Sequence, residues 1–267
     1  MDYEKSKRYF ELKEPDYRAE EEGIRQGKKQ IVTYILLEVI IAVAYFSGKL
    51  DFIFDFILSL PYKIGAIILL FGWLVGAGCG ALKVWSNKKR RIKKEDEYKS
   101  LLVTDKEYDR MAFEPTHNVK AEALESLGLD EDEIKDADPI VFSSYKLQDW
   151  TKAKKGEDGY WRTDSVECVF LCFSAQAVHC FTLRYNTLMQ KKKVSTDVFF
   201  YGDIAAISTT SETITMGSGD SAEEVNFDSF SLKTTGGLAF SIALRDRASA
   251  MQSISAMRNL IHEKKKK

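Results

Sequence analysis

Two apolar runs in the first third of the chain stand apart from the charged sequence around them. The first covers residues 31–47 and contains one charge, Glu38, and the second covers residues 64–82 and contains none. A helix needs about 20 apolar residues to cross a bilayer, and in hydrocarbon only a helix satisfies the backbone of such a run. The pattern predicts a two-helix transmembrane hairpin over residues 31–85, with an interfacial bend between the helices.

The charges that flank this predicted hairpin indicate its orientation. Arg25, Lys28 and Lys29 precede the first run, and a dense group of Lys and Arg follows the second, over residues 83–94. The positive-inside rule places such flanks on the cytoplasmic side of a membrane. We therefore expect a multi-pass protein of the cell membrane with both termini in the cytoplasm and the lipid bilayer as a partner.

Small residues in the second run suggest close helix packing. Gly72, Gly76 and Gly80 recur every fourth residue, so they share one helix face and allow a second backbone to approach. Two partners fit this face: the first helix of the same hairpin, or another copy in a homo-oligomer. Glu38 is the one ionisable residue within the runs, and we expect it at a helix contact or facing a cavity.

The period of the sequence changes from helical to alternating at Pro139. Segments rich in Val, Ile, Phe, Tyr and Thr follow, bounded by Gly, Ser, Asp and Asn, as is typical of antiparallel strands joined by hairpins. After Asp246, apolar residues recur at helical spacing at Met251, Ile254, Met257 and Ile261. The pattern predicts an α+β domain of about seven antiparallel strands closed by a C-terminal helix.

This order of elements resembles a pleckstrin-homology-like (PH-like) domain, of the sort that bacteria attach to membrane helices. The resemblance lies in the strand pair SVECVFLCFSAQAVHCFTLRY, the step Tyr201-Gly202-Asp203-Ile204, the hairpin FSLKTTGGLAFSIAL and the closing helix. It implies a bent antiparallel β-barrel or sandwich with the helix at one open end. Five segments result: a charged arm (1–30), the hairpin (31–85), a basic then acidic helical linker (86–138), the PH-like domain (139–263) and a Lys tail (264–267).

The resemblance also directs attention to two basic loops. In the eukaryotic branch of the family, basic residues around the first strand-to-strand loop hold phosphoinositide phosphates. The corresponding loop covers residues 148–164 and a second basic loop follows later; the candidate lipid or partner contacts are Lys152, Lys154, Lys155, Arg162, Lys191, Lys192 and Lys193. The second strand begins Val166-Glu167-Cys168 and lacks the basic residue that the family places there. Solvated loop charge is the alternative interpretation of both loops.

The sequence contains no pattern that indicates nucleic-acid binding, catalysis, phosphate binding or metal binding. The net charge is −1, which gives no electrostatic reason to expect nucleic acid as a partner. His117, His179 and His262 form no motif with an acid and a nucleophile, and no phosphate-binding glycine loop or clustered metal-ligand spacing occurs. We therefore expect no catalytic residues, no cofactor and no metal, and a protein that is not an enzyme.

The sequence thus leads to two functional hypotheses. The first is a membrane-anchored cytoplasmic PH-like adaptor or scaffold, in which a sheet edge or a groove beside the closing helix binds a partner protein or anionic lipid headgroups. The alternative is a subunit of an oligomeric membrane transporter or channel, suggested by Glu38 and the glycine face.

Overall fold

The computed structural model describes residues 2–47, 62–134, 137–148, 150–217 and 222–266. The chain forms two compact units. One, the sheet unit, combines Met1–Leu12 with Val103–Lys267, and the other, the helical unit, is Lys13–Leu102. The helical unit is therefore an insertion between the first helix of the sheet unit and the rest of that unit.

Two long helices make up the helical unit: α2 (Arg18–Phe46) and α3 (Tyr62–Leu101). Pro15 and Pro61 precede these helices in the sequence, and no proline occurs within either of them. Each helix can therefore contain both an apolar run and a charged run without interruption. The charged ends pair with each other, since Lys94 Nζ lies 2.7 Å from Glu20 Oε1 and Arg91 Nη1 lies 3.4 Å from Glu21 Oε1.

The transmembrane hairpin predicted for residues 31–85 is contradicted. In the part of the chain that the structure describes, no helix combines the length and the apolar character needed to cross a membrane. Each apolar run forms only part of a longer helix, and the other part of that helix is densely charged. The same finding contradicts the prediction of a multi-pass membrane protein with cytoplasmic termini. The bend between the runs lies outside the described residues.

The sheet unit begins with a short helix and continues after the insertion with two more. These helices are α1 (Tyr3–Glu11), α4 (Asp105–Phe113) and α5 (Val119–Leu127). Asp2 and Thr104 cap α1 and α4 through side-chain oxygens, and Gly128 ends α5 in the left-handed conformation at φ 65°. A last helix, α6 (Arg247–Lys264), follows the strands.

Nine strands lie between α5 and α6 in the described residues, and all their pairings are antiparallel. The strands are β1 (Ile140–Tyr145), β2 (Ala153–Lys155), β3 (Trp161–Thr163), β4 (Ser165–Phe173), β5 (Ala177–Asn186), β6 (Lys192–Phe200), β7 (Ile204–Met216), β8 (Glu223–Thr234) and β9 (Gly237–Ala243). They form a four-stranded sheet in the order β1-β4-β5-β6, a three-stranded sheet β7-β8-β9 and the small hairpin β2-β3.

Both faces of the four-stranded sheet are covered. One face packs with the three-stranded sheet and α6 in a core that includes Val169, Leu171, Phe230, Leu232 and Ile254. The other face packs under α1, α4 and α5, in a core that contains alternate residues of the same strands. Double coverage explains why β4 reads SVECVFLCF without polar alternation, since only its first residue escapes full burial.

The expected closed barrel is also contradicted, because the two main sheets do not join. In the described pairings, β1 bonds only to β4 and β9 only to β8. The four-stranded sheet therefore has a free edge at β1, and the three-stranded sheet has one at β9. The fold is α+β with open antiparallel sheets. The hairpin β2-β3 occupies the stretch predicted as a loop.

Candidate functional site

A cleft of about 860 Å³ lies in the sheet unit beside the free edge of β1. Its walls come from five parts of the chain: β1 itself, the hairpin β2-β3 with its turn, the start of β8, the junction between β9 and α6, and Asp109 of α4. Sheet edges and the rims of open sheets are common binding positions because they combine concave shape with accessible backbone groups. We therefore take this cleft as the candidate functional site.

The edge of β1 presents free backbone groups to this cleft. Lys146 N–H donates to Ser165 O at 2.8 Å, which makes these two residues a hydrogen-bonded pair of the β1-β4 ladder. Bonded pairs alternate in an antiparallel ladder, so the N–H and C=O groups of Val141, Ser143 and Tyr145 point away from β4. All three residues line the cleft.

The opposite wall contains the end of β9 and the start of α6. Leu244 N–H donates to Asp228 O at 2.8 Å, so by the same alternation the backbone groups of Ala243 point away from β8. Asp246 then caps α6, because its Oδ1 accepts hydrogen bonds from Ala248 N (3.0 Å) and Ser249 N (3.4 Å). The cleft is thus bounded by the free edges of two sheets.

A network of ion pairs centred on Asp109 also lines the cleft. Asp109 accepts hydrogen bonds from Arg162, from the Tyr145 hydroxyl at 2.6 Å and from Arg245 Nη2 at 2.8 Å. Arg162 also donates to both oxygens of Asp158, at 2.8 and 2.7 Å. The side chain of Arg162 is only 4% exposed, so its charge is neutralised by carboxylates and not by water.

The pKa values of this network follow from its hydrogen bonds and burial. The guanidinium of Arg162 holds the pKa of Asp158 well below its usual range, mainly through the direct hydrogen bonds. Burial raises the pKa of Tyr145, and the hydrogen bond to Asp109 raises it further, so the hydroxyl remains a donor at neutral pH. Arg162 and Asp158 are therefore charged and Tyr145 is neutral at pH 7, and their hydrogen bonds hold this wall of the cleft together.

Trp161 contributes a polar group that has no partner. Its side chain lines the cleft, and its indole Nε1 is buried without a hydrogen bond among the described residues. A buried donor without an acceptor costs about 1–3 kcal/mol. The neighbouring Tyr160 also lines the cleft, and it is 69% exposed.

The four basic residues predicted in the first loop are each engaged within the sheet unit. Lys152 pairs with Glu11 at 3.6 Å, and Lys155 pairs with Glu223 at 2.7 Å. Lys154 lies over the Tyr9 ring at 4.5 Å and donates to the Tyr9 carbonyl, while Arg162 is buried as described. These side chains are not gathered into a free cationic surface.

The second basic group lies at the start of β6. Lys192 forms an ion pair with Glu122, while the side chains of Lys191 and Lys193 are exposed. Consecutive residues of a strand alternate between its two faces, so Lys192 and Lys193 point to opposite faces of β6, and Lys191 lies just before the strand. The structure therefore does not join these lysines to those of the first loop in one contact surface.

The predicted helix-packing residues lie in the helical unit. A Cβ on Gly76 would lie 2.3 Å from Tyr34, and one on Gly80 would lie 2.8 Å from Ile31, so both glycines face α2. Gly72 lies within α3 where the side chains are not described, and Glu38 is exposed on α2. Gly23 and Gly27 of α2 were not predicted as packing residues, but they face Asn87 and Gly80 at the same four-residue spacing.

Thiols and histidines give no sign of a reactive centre in the described residues. The four cysteines are free; Cys79 is exposed and the other three are buried. Burial raises the pKa of Cys168 and Cys172 to about 11 and that of Cys180 to about 12, so these thiols remain protonated. No group of three or more His, Cys, Asp or Glu is arranged to hold a metal ion within the described ranges.

The known proteins add no information about this site. Comparisons with protein-family models, curated proteins and solved structures found no match to the chain. The geometry of the cleft is therefore the basis for assigning a function.

Proposed function

We propose that the sheet unit is a protein-binding module, and that its ligand is an extended segment of a partner protein added as a strand to the free edge of β1. The observation that carries this proposal is the cleft of about 860 Å³ along an edge with free backbone donors and acceptors. Strand addition uses main-chain hydrogen bonds for affinity and side-chain pockets for specificity.

The position of the ligand follows from the spacing of the two walls. Cα atoms of β1 and β9 approach within 8 Å at their nearest points, and neighbouring strands lie about 4.8 Å apart. A strand paired with both edges would need roughly twice that spacing between them, so we expect the segment to pair with β1 alone. Val141, Ser143 and Tyr145 then supply the backbone hydrogen bonds.

The side chains around the cleft favour a peptide over a small charged metabolite. Tyr160 offers an exposed aromatic surface. The indole N–H of Trp161 has no acceptor among the residues that the structure describes, and a peptide carbonyl would supply one. The charged groups that line the cleft are already paired, since Arg245 bonds to Asp109 and Arg247 to Asp228. The site therefore offers few unpaired charges for a phosphate or carboxylate ligand to neutralise.

This function agrees with the proposed resemblance to PH-like domains. That resemblance is supported by the presence of a four-stranded sheet and a three-stranded sheet followed by a helix, although the sheets do not close into a barrel. The binding of anionic lipid has less support, because most of the basic side chains suggested for it are engaged with acids or an aromatic ring.

A peptide library tests the proposal. Random 12-residue peptides displayed on phage are selected on the purified full chain, and enriched peptides are measured by isothermal titration calorimetry. Val141→Pro removes one free-edge N–H at a position where an edge strand tolerates proline, and Val141→Thr retains the N–H in a side chain of similar shape.

We expect Val141→Pro to weaken binding at least tenfold and Val141→Thr to leave it nearly unchanged. Circular dichroism of both variants verifies that β1 remains folded. If no peptide is enriched, or if both variants bind equally well, the ligand does not pair with β1 and the proposal fails.

A further inference from the structure

The opposite edge of the four-stranded sheet is formed by β6, which carries a different kind of surface. β6 is paired only with β5 in the described sheet, and every residue of it except Phe199 is exposed. Long exposed edge strands usually carry a device that blocks pairing with another chain, such as a proline or a bulge. Neither occurs in Lys192–Phe200, where the charged side chains that can serve the same purpose are confined to Lys192, Lys193 and Asp197.

The free backbone groups of β6 can be assigned from its ladder with β5. Asn186 N–H donates to Lys191 O at 3.1 Å, so the hydrogen-bonded pairs with β5 fall on the odd-numbered residues of β6. The N–H and C=O groups of Val194, Thr196 and Val198 therefore point outward. The side chains of Val194 and Val198 lie on one face, and they are 40% and 48% exposed.

The charges on the other face of β6 lack counterparts among the described residues. Lys193 lies directly opposite Arg184 on β5, and like charges in that position repel. The guanidinium of Arg184 is itself bound to Glu167, and Asp197 lies opposite the thiol of Cys180. Among the described residues, Lys193 and Asp197 form no ion pair, so a complementary strand would place an acid opposite Lys193 and a base opposite Asp197.

The sequence of β6 meets that requirement itself. We propose that β6 pairs antiparallel with β6 of a second copy of this chain across a two-fold axis at Ser195. Lys193 of each copy then lies opposite Asp197 of the other, Val194 opposite Thr196, and Ser195 opposite itself. The hydrogen-bonded pairs fall on Val194 with Thr196, whose backbone groups already point outward, and the two sheets become one of eight strands.

The size of this contact determines how it must be measured. Two strands of nine residues bury much less than the roughly 1,200–2,000 Å² of a stable standard interface. We therefore expect a dimer that dissociates on dilution and weakens at high salt, because two ion pairs contribute to it. This surface is on the opposite edge from the cleft, so it is independent of the proposed peptide site.

Disulfide trapping tests the register directly. In the full chain with Cys79→Ser, Ser195→Cys places the two introduced thiols opposite each other at a Cα separation of about 4.5 Å, which a disulfide spans. Val198→Cys is the control, because in this register residue 198 lies six residues from its own copy, about 20 Å away. Under mild oxidation we expect a covalent dimer for Ser195→Cys at least tenfold more abundant than for Val198→Cys.

Charge exchange provides the second test. Lys193→Asp and Asp197→Lys each place like charges opposite each other and should reduce dimerisation in sedimentation velocity at low salt, and the double exchange should restore it. Equal cross-linking of both cysteine variants overturns the proposal. So does a dimer that is unchanged by the single exchanges, since its interface then lies elsewhere.

Discussion

Arg162 binds Asp109 through two parallel hydrogen bonds, from Nε to Oδ1 at 2.8 Å and from Nη2 to Oδ2 at 3.0 Å. The two residues are 53 positions apart, one on α4 and the other on β3, so the pair attaches a helix of the outer layer to the small hairpin at the cleft. Bidentate pairing of a guanidinium with a carboxylate fixes orientation as well as charge. The wall of the cleft therefore depends on this pair.

Removal of the Arg162 charge should destabilise the protein strongly. Arg162→Met leaves Asp109 and Asp158 without their shared cation, and breaking a buried pair in this way costs about 3–5 kcal/mol. We expect that loss in the free energy of unfolding measured in urea, and partial recovery in the double variant with Asp109→Asn. The control Arg247→Met removes a pair whose arginine is 66% exposed and should cost less than about 1 kcal/mol.

Tyr9 should be the main anchor of α1. Its ring stacks on Tyr108 with centroids 4.2 Å apart, and its hydroxyl donates to Asp105 at 2.7 Å. We expect Tyr9→Ala to lower the free energy of unfolding by about 3–5 kcal/mol and Tyr9→Phe by about 1–3 kcal/mol, since the latter leaves an acceptor without its donor. Tyr160→Phe, at an exposed position, should change it little. If Tyr9→Ala has no effect, α1 does not contribute to the fold.

Stability should fall at acidic pH, partly through Asp158. Arg162 holds the pKa of this carboxyl below its ordinary value of 3.8, so the charged form adds stability above that value. The contribution is lost as the pH falls through the lower native pKa. Between about pH 5 and pH 2, Asp158→Asn should therefore show a shallower decline in unfolding free energy than the native protein. Asp203→Asn is the control, and an equal slope in both variants would contradict this role.

The four cysteines should differ sharply in reactivity. Cys79 is exposed, whereas Cys168, Cys172 and Cys180 are buried with raised pKa values. Iodoacetamide at about pH 8 should modify one thiol in the native protein and four in denaturant, as counted by mass spectrometry. The single adduct should disappear in Cys79→Ser. Rapid modification of a second thiol would show that the sheet opens easily.

Helix packing in the helical unit should depend on Gly27. An added Cβ there would lie 2.9 Å from the backbone oxygen of Gly80, so Gly27→Ala must move the helices apart. Gly78→Ala is the matched control, because nothing lies within 4 Å of its added Cβ and alanine favours helix by about 1 kcal/mol. We expect lower thermal stability by circular dichroism at 222 nm for the first variant and equal or higher stability for the second.

Local patterns explain which parts of the sheet unit the sequence could predict. Alternation and turn residues located the long strands, and helical spacing at Ile254, Met257 and Ile261 located α6, which packs those residues in the core. The covering layer was missed because the charges of residues 95–138 suggested a solvated linker. Tyr108, Met111 and Ala112 nevertheless lie at helical spacing there, and all three are buried.

Pairing over long sequence distances explains what was missed at the site. Arg162 was a candidate lipid or partner contact because its loop is basic. Its main acid partner beyond its own hairpin, Asp109, comes from a segment 53 residues earlier. No local pattern reveals such a pair, since the carboxylate is brought close only when α4 docks on the sheet. The open edge of β1 likewise depends on which strands pair, and alternation alone does not determine that.

The insertion of the helical unit has a consequence for the order in which the protein folds. During synthesis α1 emerges from the ribosome first, but Tyr108, on which it stacks, follows only after the ninety residues 13–102. Closing so long a loop carries an entropic cost that rises with its length. Once α2 and α3 have paired, the Arg91 guanidinium lies over the Tyr17 ring, 5.4 Å from its centroid. The loop that still has to be closed between α1 and its docking partner then consists only of the short stretches 13–16 and 92–102. A substitution that weakens the helix pair should therefore delay folding of the sheet unit, although no residue of that unit has changed.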